Sequence, residues 1–555
     1  MQKSSGAVRK AKPLGERIRE YRQSHRDDIA RIYVLVLLGL VSALVIQGRV
    51  GLEHFIGSFL LTAILLFIFY KDIRRYKPAY LNNYKLLLLL GVLVVGTLIV
   101  GRIFEFLLSG LQRGLAFPDD KSFIYGIPIP LGAMLVTLIF DFHAAIIFSF
   151  IISLLTGIWL ANPFYPFYAF IGSLTAAFSV IRCKKRSALI KGGMYVSGVN
   201  IVTAGVILLA GGDFFSPASP SAFLFAAMCG LNVAALVSFI LPAVEYLFGI
   251  ATDISLIELL DLDHPLMRSL MIAAPGTYHH SVIVGNLAES AAEAVGANPL
   301  LARVAAYYHD VGKIKMSDYF VENQKGGASK HEKLAPHMSG MILTNHVKEG
   351  VELAKQYKFP SSVTDIIQQH HGTSLIVYFF QKALEQEGSD VIPSQASYRY
   401  PGPRPQTRVA ALVMMADAVE AASHTLTDPT PARIVALVEK IINNIFLDGQ
   451  IDDCELTLRD MSEIKKRFTY ILTSIFHRRI EYPELHLKGM AHKPDRFPAE
   501  AGSGRNAAER VPAGVAGRDY GSYHKEQSAT DKDKQPENRE AGQEGPLLSD
   551  TERKQ

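Results

Sequence analysis

From residue 32 to residue 249 the chain is dominated by long apolar runs separated by short polar breaks. A helix needs about 20 apolar residues to cross roughly 30 Å of hydrocarbon. Runs of that order fall at about 32–48, 54–70, 84–108, 124–140, 143–161, 164–181, 193–211 and 221–249. They predict a bundle of about eight membrane helices. Several runs are only 15–18 residues long, and those between 124 and 181 follow so closely that the count is fixed only to within one. Leu86–Val100 carries no charge at all, which a core helix of a soluble protein rarely matches.

From 250 to 487 the pattern changes to helical stripes. Leu300, Leu301, Val304, Ala305 and Tyr308 share one face of a helix that runs into His309–Asp310 and stops at Gly312. Val363, Ile366 and Ile367 lead into His370–His371 and a stop at Gly372. Met338, Met341 and Ile342 share a face with His346, and Val409, Leu412, Val413 and Ala416 flank Asp417. Past 487 the chain is polar and aperiodic, the signature of a disordered tail. The expected fold is therefore all-α. A basic cytoplasmic segment (1–31) precedes a polytopic transmembrane helical bundle (32–249), a cytoplasmic all-helical domain (250–487) and a disordered tail (488–555).

At 49% hydrophobic and 20% charged the chain is greasy for a soluble protein. Its net charge of +5 matters through its distribution. Arg9, Lys10, Lys12, Arg17, Arg19, Arg22, Arg26 and Arg31 precede the first run; Lys71, Arg74, Arg75 and Lys77 follow the second. Arg182, Lys184, Lys185 and Arg186 follow the sixth, whereas the opposite loops offer only Arg49, Arg113 and Lys121. Basic loops stay cytoplasmic, so eight spans place both ends inside the cell. The charged residues ahead of the first run argue against a cleavable signal peptide. Cys183, Cys229 and Cys454 show no pairing motif, which fits a reducing compartment. Arg102 and Glu105, near the end of the third run, are expected to pair with each other.

A single histidine on an apolar face is usually a satisfied core residue. An aspartate such as Asp417 cannot lie there unpaired without costing several kcal/mol. Here separate helices each present such a group: His280, His309–Asp310, His346, His370–His371 and Asp417. Imidazole and carboxylate suit iron, manganese or zinc. If Asp310 bridges, seven residues supply eight ligand contacts, which suits two ions roughly 3.5–4 Å apart. His279 would point about 100° away from His280 on a helix and is left outside the ligand set. His331 and His337, in a polar loop and at a helix start, are read as solvated. Lys313 is the first choice for a phosphate contact, against a solvated surface role. The loop Ser397–Arg408 (SYRYPGPRPQTR) reads equally as an adenine- and phosphate-binding stretch or as a rigid connector. Tyr378 and Phe379 read as core packing.

The stretch APGTYHHSVIVGNLAESAAEAVGANPLLARVAAYYHDVGKI, with YFVENQKGG, NHVKEGVELA, QHHGTSL, RYPGPRPQT, ADAVEAAS and DPTPARI, closely resembles the PgpH-type family of membrane-anchored HD proteins. Members hydrolyse the bacterial second messenger cyclic di-AMP. The resemblance covers about Tyr70 to Tyr482 and implies an HD phosphohydrolase domain. It implies that His280, His309 and Asp417 hold one ion, that His346, His370 and His371 hold the other, and that Asp310 bridges; manganese or iron is the expected metal. It further implies hydrolysis to linear pApA at the cytoplasmic face of a bacterial plasma membrane; Asp310, and Lys313 from its position three residues later, are taken as the catalytic residues. The expected partners are cyclic di-AMP and the lipid bilayer, not a DNA or RNA polymer; oligomeric state is open, a homodimer included. Two departures stand out. The loop from about Gln47 to His54 leaves no room for the family's large extracellular domain, and GTSLIVYFF after His371 lacks the Gly-Tyr-Pro of the related cyclic di-GMP enzymes. The rival readings are hydrolysis of cyclic di-GMP or guanosine tetraphosphate, and a non-catalytic nucleotide-sensing membrane receptor.

Overall fold

The computed structural model describes residues 14–47, 51–77, 80, 84–114, 121–324, 329–387 and 393–476. The expected tail lies outside the described residues. Among the described residues regular structure is helical throughout, and strand pairing is limited to an isolated bridge between Leu375 and Arg399.

The first half consists of α1 (Leu14–Gln47), α2 (Leu52–Tyr76), α3 (Tyr84–Gly114), α4 (Pro130–Ile139), α5 (Phe142–Leu160), α6 (Tyr165–Ser179), α7 (Ser187–Gly211) and α8 (Ser219–Phe248). α1 does not begin at the apolar boundary near residue 32. It starts at Leu14 and continues through the basic segment, whose Arg, Glu and Gln residues are good helix formers uninterrupted by proline. Among the described residues, seven segments are long and apolar enough to span a bilayer: Ile29–Gln47, Leu52–Tyr76, Tyr84–Gly114, Ser122–Ile139, Phe142–Leu160, Ser187–Gly211 and Ser219–Phe248.

The remaining expected run, 164–181, forms α6, which has 15 residues and is about 22 Å long at 1.5 Å per residue. Its start is set by Asn162, whose side-chain oxygen accepts from the backbone N–H groups of Phe164 and Tyr165 at 2.9 and 3.2 Å. α6 returns along α5, bringing Phe178 to Phe142 with ring centroids 6.0 Å apart. α6 is thus a short return pass beside α5, an eighth apolar helix among the described residues.

The Ser122–Ile139 pass is broken. A 3₁₀ turn over Ser122–Gly126 gives way to α4 only after Pro128, and irregular backbone is tolerated at membrane depth only where protein satisfies it. Neighbouring helices do so. The Tyr165 and Tyr168 hydroxyls donate to the carbonyls of Ile124 and Tyr125 at 3.1 and 2.6 Å, and the Cys229 thiol to that of Ile127 at 3.4 Å. Arg102 pairs with Glu105 at 2.9 Å as expected, and also donates to the Val45 carbonyl at 2.8 Å, capping the end of α1.

The second half comprises α9 (Asp253–Leu259), α10 (Pro265–Ala273), α11 (Pro275–Val295), α12 (Pro299–Tyr308), α13 (Pro336–Gln356), α14 (Ser361–Gln369), α15 (Val377–Glu387), α16 (Arg408–Ser423), α17 (Pro431–Leu447) and α18 (Leu458–Ile475). Their starts follow the sequence signals: Asn298, Thr407, Thr430 and Thr457 accept at their N-caps, and proline opens α11, α12, α13 and α17. α16 is the central element, with Val409–Ala416 buried on every face. Leu287, Leu412, Val438 and Phe468 form one apolar cluster around it; Leu266, Met267, Val363 and Ile367 belong to a second. A polar side chain on α16 therefore needs a partner inside the domain.

α7 and α8 approach through glycines. A Cβ added at Gly193 would run into the Gly230 carbonyl, and one at Gly230 into the Gly193 carbonyl. Small residues let membrane helices pack backbone to backbone. We expect Gly193→Leu to destabilise the detergent-solubilised protein by about 1–3 kcal/mol, the usual cost of overpacking. Gly198→Leu on the same helix, where a Cβ meets nothing within 4 Å, should leave the melting midpoint unchanged. Equal midpoints for the two variants would disprove the close packing.

Candidate metal centre

Five helices end at, or pass through, one point. α11 carries His280, the end of α12 delivers His309 and Asp310, α13 carries His346, the end of α14 delivers His370 and His371, and α16 carries Asp417. The chain can turn sharply after Asp310 because Gly312 has no side chain: a Cβ there would collide with the α13 backbone at His346 and Gly350. That glycine reads as a helix stop in the sequence, but the approach of α13 is what requires it.

The two oxygens of Asp310 face different neighbours. Oδ1 lies 3.3 Å from His346 Nε2 and 3.7 Å from His370 Nε2, whereas Oδ2 lies 3.2 Å from His309 Nε2 and 3.7 Å from His280 Nε2. Asp417 Oδ1 closes the second side at 3.0 Å from His280 Nε2, and its Oδ2 reaches His371 Nδ1 at 3.5 Å. Two groups result: Asp310 with His346, His370 and His371, and Asp310 with His280, His309 and Asp417. Each offers one donor atom per residue, all within 4.8 Å of one another.

The imidazoles are oriented from behind. Nδ1 of His309, His346 and His370 lies 2.7, 2.5 and 2.7 Å from the carbonyls of Ala306, Leu343 and Ile367. A carbonyl accepts only, so each Nδ1 carries the proton and each Nε2 turns a lone pair inward. His346 Nε2 and His370 Nε2 then oppose each other at 3.2 Å. His309 Nε2 and both Asp310 oxygens are buried without a hydrogen-bond partner, although Oδ2 has Lys313 Nζ beside it at 2.7 Å as an ion pair. Unpartnered buried polar atoms are rare in folded proteins. Several lone pairs aimed at one point are satisfied by cations. The buried His/Asp cluster fits divalent metal binding.

Burial opposes charge on all these groups, and their neighbours decide the balance. Asp310 is held well below the usual carboxylate range by His309 and Lys313, and Asp417 by His280 and His309. The carboxylates in turn push His309 up to about 10 and His280 up to about 9, so each of these two rings favours a second proton on its inward nitrogen, which a divalent ion would displace on binding. Burial, aided by His370, lowers His346 to about 3. Both aspartates are thus ionised at neutral pH and ready to ligate without losing a proton.

Lys313, the first choice for a phosphate contact, has a side chain 13% exposed, with Nζ 2.8 Å from Glu322 Oε1 as well as against Asp310, and 4.8 Å from the centre of the Phe320 ring. Several other side chains differ from the sequence reading. His331 is likewise buried, 2.9 Å from the Tyr319 carbonyl and tilted against Phe379 with centroids 5.0 Å apart; a polar loop folds back over an aromatic pair. His337 is exposed at the start of α13, and His279 is exposed on the wall of the central cavity. Phe379 is buried as expected, but Tyr378 is exposed. In the 397–408 loop the arginines are already engaged: Arg399 by Asp448 and the Thr373 carbonyl, Arg404 by Asp452, and Arg408 by the Val295 carbonyl. These partners tie the loop to the turn that follows α17. Only Tyr400 reaches the centre, its ring 4.2 Å from that of His371 and tilted by 30°.

The residue missed from the sequence is Glu420. Its carboxylate is buried against His280 Nδ1, and its other oxygen accepts from His424 Nε2 at 2.9 Å. A carboxylate behind an imidazole fixes the ring and raises its basicity. The available signal was spacing, since Glu420 lies one turn beyond Asp417 on the same face of α16. In front of the centre opens a cavity of about 810 Å³ whose walls include Lys313, His371, Tyr400 and His424.

Comparison with known proteins agrees with this division of the chain. The family "7TM receptor with intracellular HD hydrolase" matches residues 52–252, and "HD domain" matches 277–422. The cyclic-di-AMP phosphodiesterase PgpH of Bacillus subtilis (strain 168) is 39% identical over 370 residues, which are 65% of this chain and 51% of that protein. PgpH of Listeria monocytogenes serotype 1/2a (strain 10403S) is 38% identical over 341 residues, 61% of this chain and 47% of that one. The chain spans about half the length of these curated relatives. The crystal structure of the L. monocytogenes PgpH HD domain in complex with cyclic-di-AMP is 44% identical, covers 40% of this chain and 100% of its own, and gives a TM-score of 0.37. With both halves matched in order and the identity running across them, the chain belongs to the PgpH-type family of membrane-anchored HD-domain proteins.

Proposed function

We infer that the protein is a multi-pass membrane phosphodiesterase that hydrolyses cyclic di-AMP to pApA with two divalent ions, manganese or iron, held by the seven-residue centre. The observation that carries this reading is the division of Asp310, one oxygen toward each group of ligands. A binding module has no need of such an arrangement. The name of the PgpH relatives supplies the substrate.

His346, His370 and His371 would hold one ion, His280, His309 and Asp417 the other, with Asp310 between them. Two ions so placed supply an activated water and charge cover for the phosphoryl oxygens. The chain's own residues do the rest. The backbone carbonyls behind His309, His346 and His370 keep those rings in one tautomer. Glu420 does the same for His280. Lys313, pinned between Asp310 and Glu322 at the cavity wall, brings a fixed positive charge where a phosphate oxygen would lie. Tyr400 covers His371 and limits the water that reaches it. We place the domain, from about residue 250, on the side of the basic loops, the cytoplasm.

The full-length protein in detergent, loaded with manganese or iron, should convert cyclic di-AMP to pApA in chromatographic product analysis, with cyclic di-GMP a much poorer substrate. The reverse preference would overturn the substrate assignment. Asp310→Ala should remove both hydrolysis and bound metal while the helical circular dichroism stays at the wild-type level. Wild-type turnover by that variant would sink the two-ion centre.

Glu420→Gln should weaken metal binding about 10- to 100-fold, the usual effect of losing a carboxylate behind a ligating histidine. Titration of the purified protein with metal would show this, and an unchanged affinity would assign Glu420 a packing role only. For orientation, a reporter inserted near Gly212 should register as external and one fused after Gln555 as cytoplasmic. The opposite pattern would invert the topology.

A further inference from the structure

Where the last membrane helix meets the catalytic half lies a cavity of about 850 Å³, separate from the one at the metal centre. Its walls include Arg186, Glu245, Tyr246 and Glu258 on one side and the turn Lys355–Pro360 on the other. Arg186 immediately precedes the span Ser187–Gly211, and Tyr246 lies in the last turn of the span Ser219–Phe248. The cavity is thus at the depth of lipid headgroups.

Its charges are not balanced. Arg186 is held by Glu258 in a two-point ion pair at 2.6 and 2.9 Å. Glu245 accepts from the Thr252 hydroxyl. With Lys355 and Lys358 the walls carry three cations against two carboxylates, and Lys358 Nζ lies 5.7 Å from the centre of the Tyr246 ring.

The backbone supplies a second observation. Lys358 has φ +58°, the left-handed region, at the position where α13 ends and the chain turns into α14. Glycine is the usual residue there, and a lysine costs about 1 kcal/mol more. Strain of this kind concentrates at ligand sites. A cation is kept at a position where glycine would serve the fold better, and it faces the membrane boundary.

We propose that this junction cavity binds a phosphate group through Lys355 and Lys358, its source being the headgroup of an anionic phospholipid. Basic pockets beside membrane helices take such headgroups. The site is well placed to matter. The Lys355–Pro360 turn joins the helix bearing His346 to the helix that leads to His370–His371, and the Ser361 hydroxyl donates to the carbonyl of Gly249, at the end of α8, at 2.9 Å. The proposal does not depend on the substrate assigned above.

The test is to titrate phosphatidylglycerol or phosphatidylcholine into the delipidated full-length protein and count bound lipid by native mass spectrometry. In parallel, inorganic phosphate is titrated while the melting midpoint is followed. Wild type should prefer phosphatidylglycerol, and Lys355→Gln and Lys358→Gly should each weaken that binding about fivefold, the worth of one cation at a membrane surface. Lys358→Gly relieves strain, so lost binding in that variant is not lost folding; metal content measured on the same samples confirms it. Glu258→Gln, which frees Arg186, should tighten binding. If phosphatidylglycerol binds all variants alike but inorganic phosphate shifts the midpoint of wild type and not of the lysine variants, the site stands and its phosphate is a soluble one. If neither ligand distinguishes wild type from the lysine variants, the proposal is wrong.

Discussion

The candidate metal centre is organised around one buried carboxylate. Asp310 is 1% exposed and is surrounded by four imidazoles whose lone pairs, fixed by carbonyls or by Glu420 behind them, converge on its two oxygens. By itself this is an unfavourable arrangement: burying a charge costs several kcal/mol, and two lone pairs at 3.2 Å repel. A sequence would not place such groups on five helices unless something positively charged held them together. Lys313 offsets part of the cost through Oδ2 alone. On the side of Oδ1, where His346 and His370 face each other, no ion pair to a lysine or arginine is present among the described residues. Divalent ions would relieve both sides at once, so the same charge that could activate a phosphodiester also locks α11, α12, α13, α14 and α16 into one register.

Much of this centre was legible from sequence because each ligand ends or interrupts an apolar stripe. Such a stripe fixes the buried face of its helix, and a polar group on that face must have a partner. His309–Asp310, His370–His371 and Asp417 were found in this way, and the structure brings all seven candidate residues into two adjoining groups. The residues that escaped are those whose role is set by tertiary neighbours. Glu420 lies on the right face of α16, but a glutamate one turn from an aspartate also reads as a solvated edge; only the burial of α16 on every side makes it a partner for His280. His331 looked solvated because its neighbours in sequence are polar, whereas its environment is Tyr319 and Phe379. The arginines of the 397–408 loop looked free for phosphate because Asp448 and Asp452, which hold Arg399 and Arg404, come from a distant turn.

In the membrane half, hydropathy located the helices but not their ends. α1 runs on past its apolar segment because helix propensity does not stop at the hydrocarbon edge. α6 is shorter than its apolar run, opening at Tyr165 behind the Asn162 turn and ending at Ser179. In the broken Ser122–Ile139 pass, side chains are recruited to satisfy main chain at membrane depth. Tyr165, Tyr168 and Cys229 do so from two other helices. Hydropathy sees three apolar residues there, and their hydrogen bonds are visible only once the helices are packed.

The two ligand groups are not equivalent with respect to the membrane. His280 and Asp417 sit on α11 and α16, which with α17 and α18 form a core of their own around Leu412, Val438 and Phe468. His346, His370 and His371 sit on α13 and at the end of α14, and the turn between those helices lies against the end of α8. α14 has nine residues, so Ser361, bonded to Gly249, is only about 14 Å along the helix from His370 at 1.5 Å per residue. A helix that short behaves as a rigid strut. Displacement of α8 would therefore move the His346, His370 and His371 side of the centre relative to the Asp417 side, with Asp310 as the shared point. The family's division into a membrane bundle and a catalytic domain then has a physical link in one hydroxyl, one turn and one short helix.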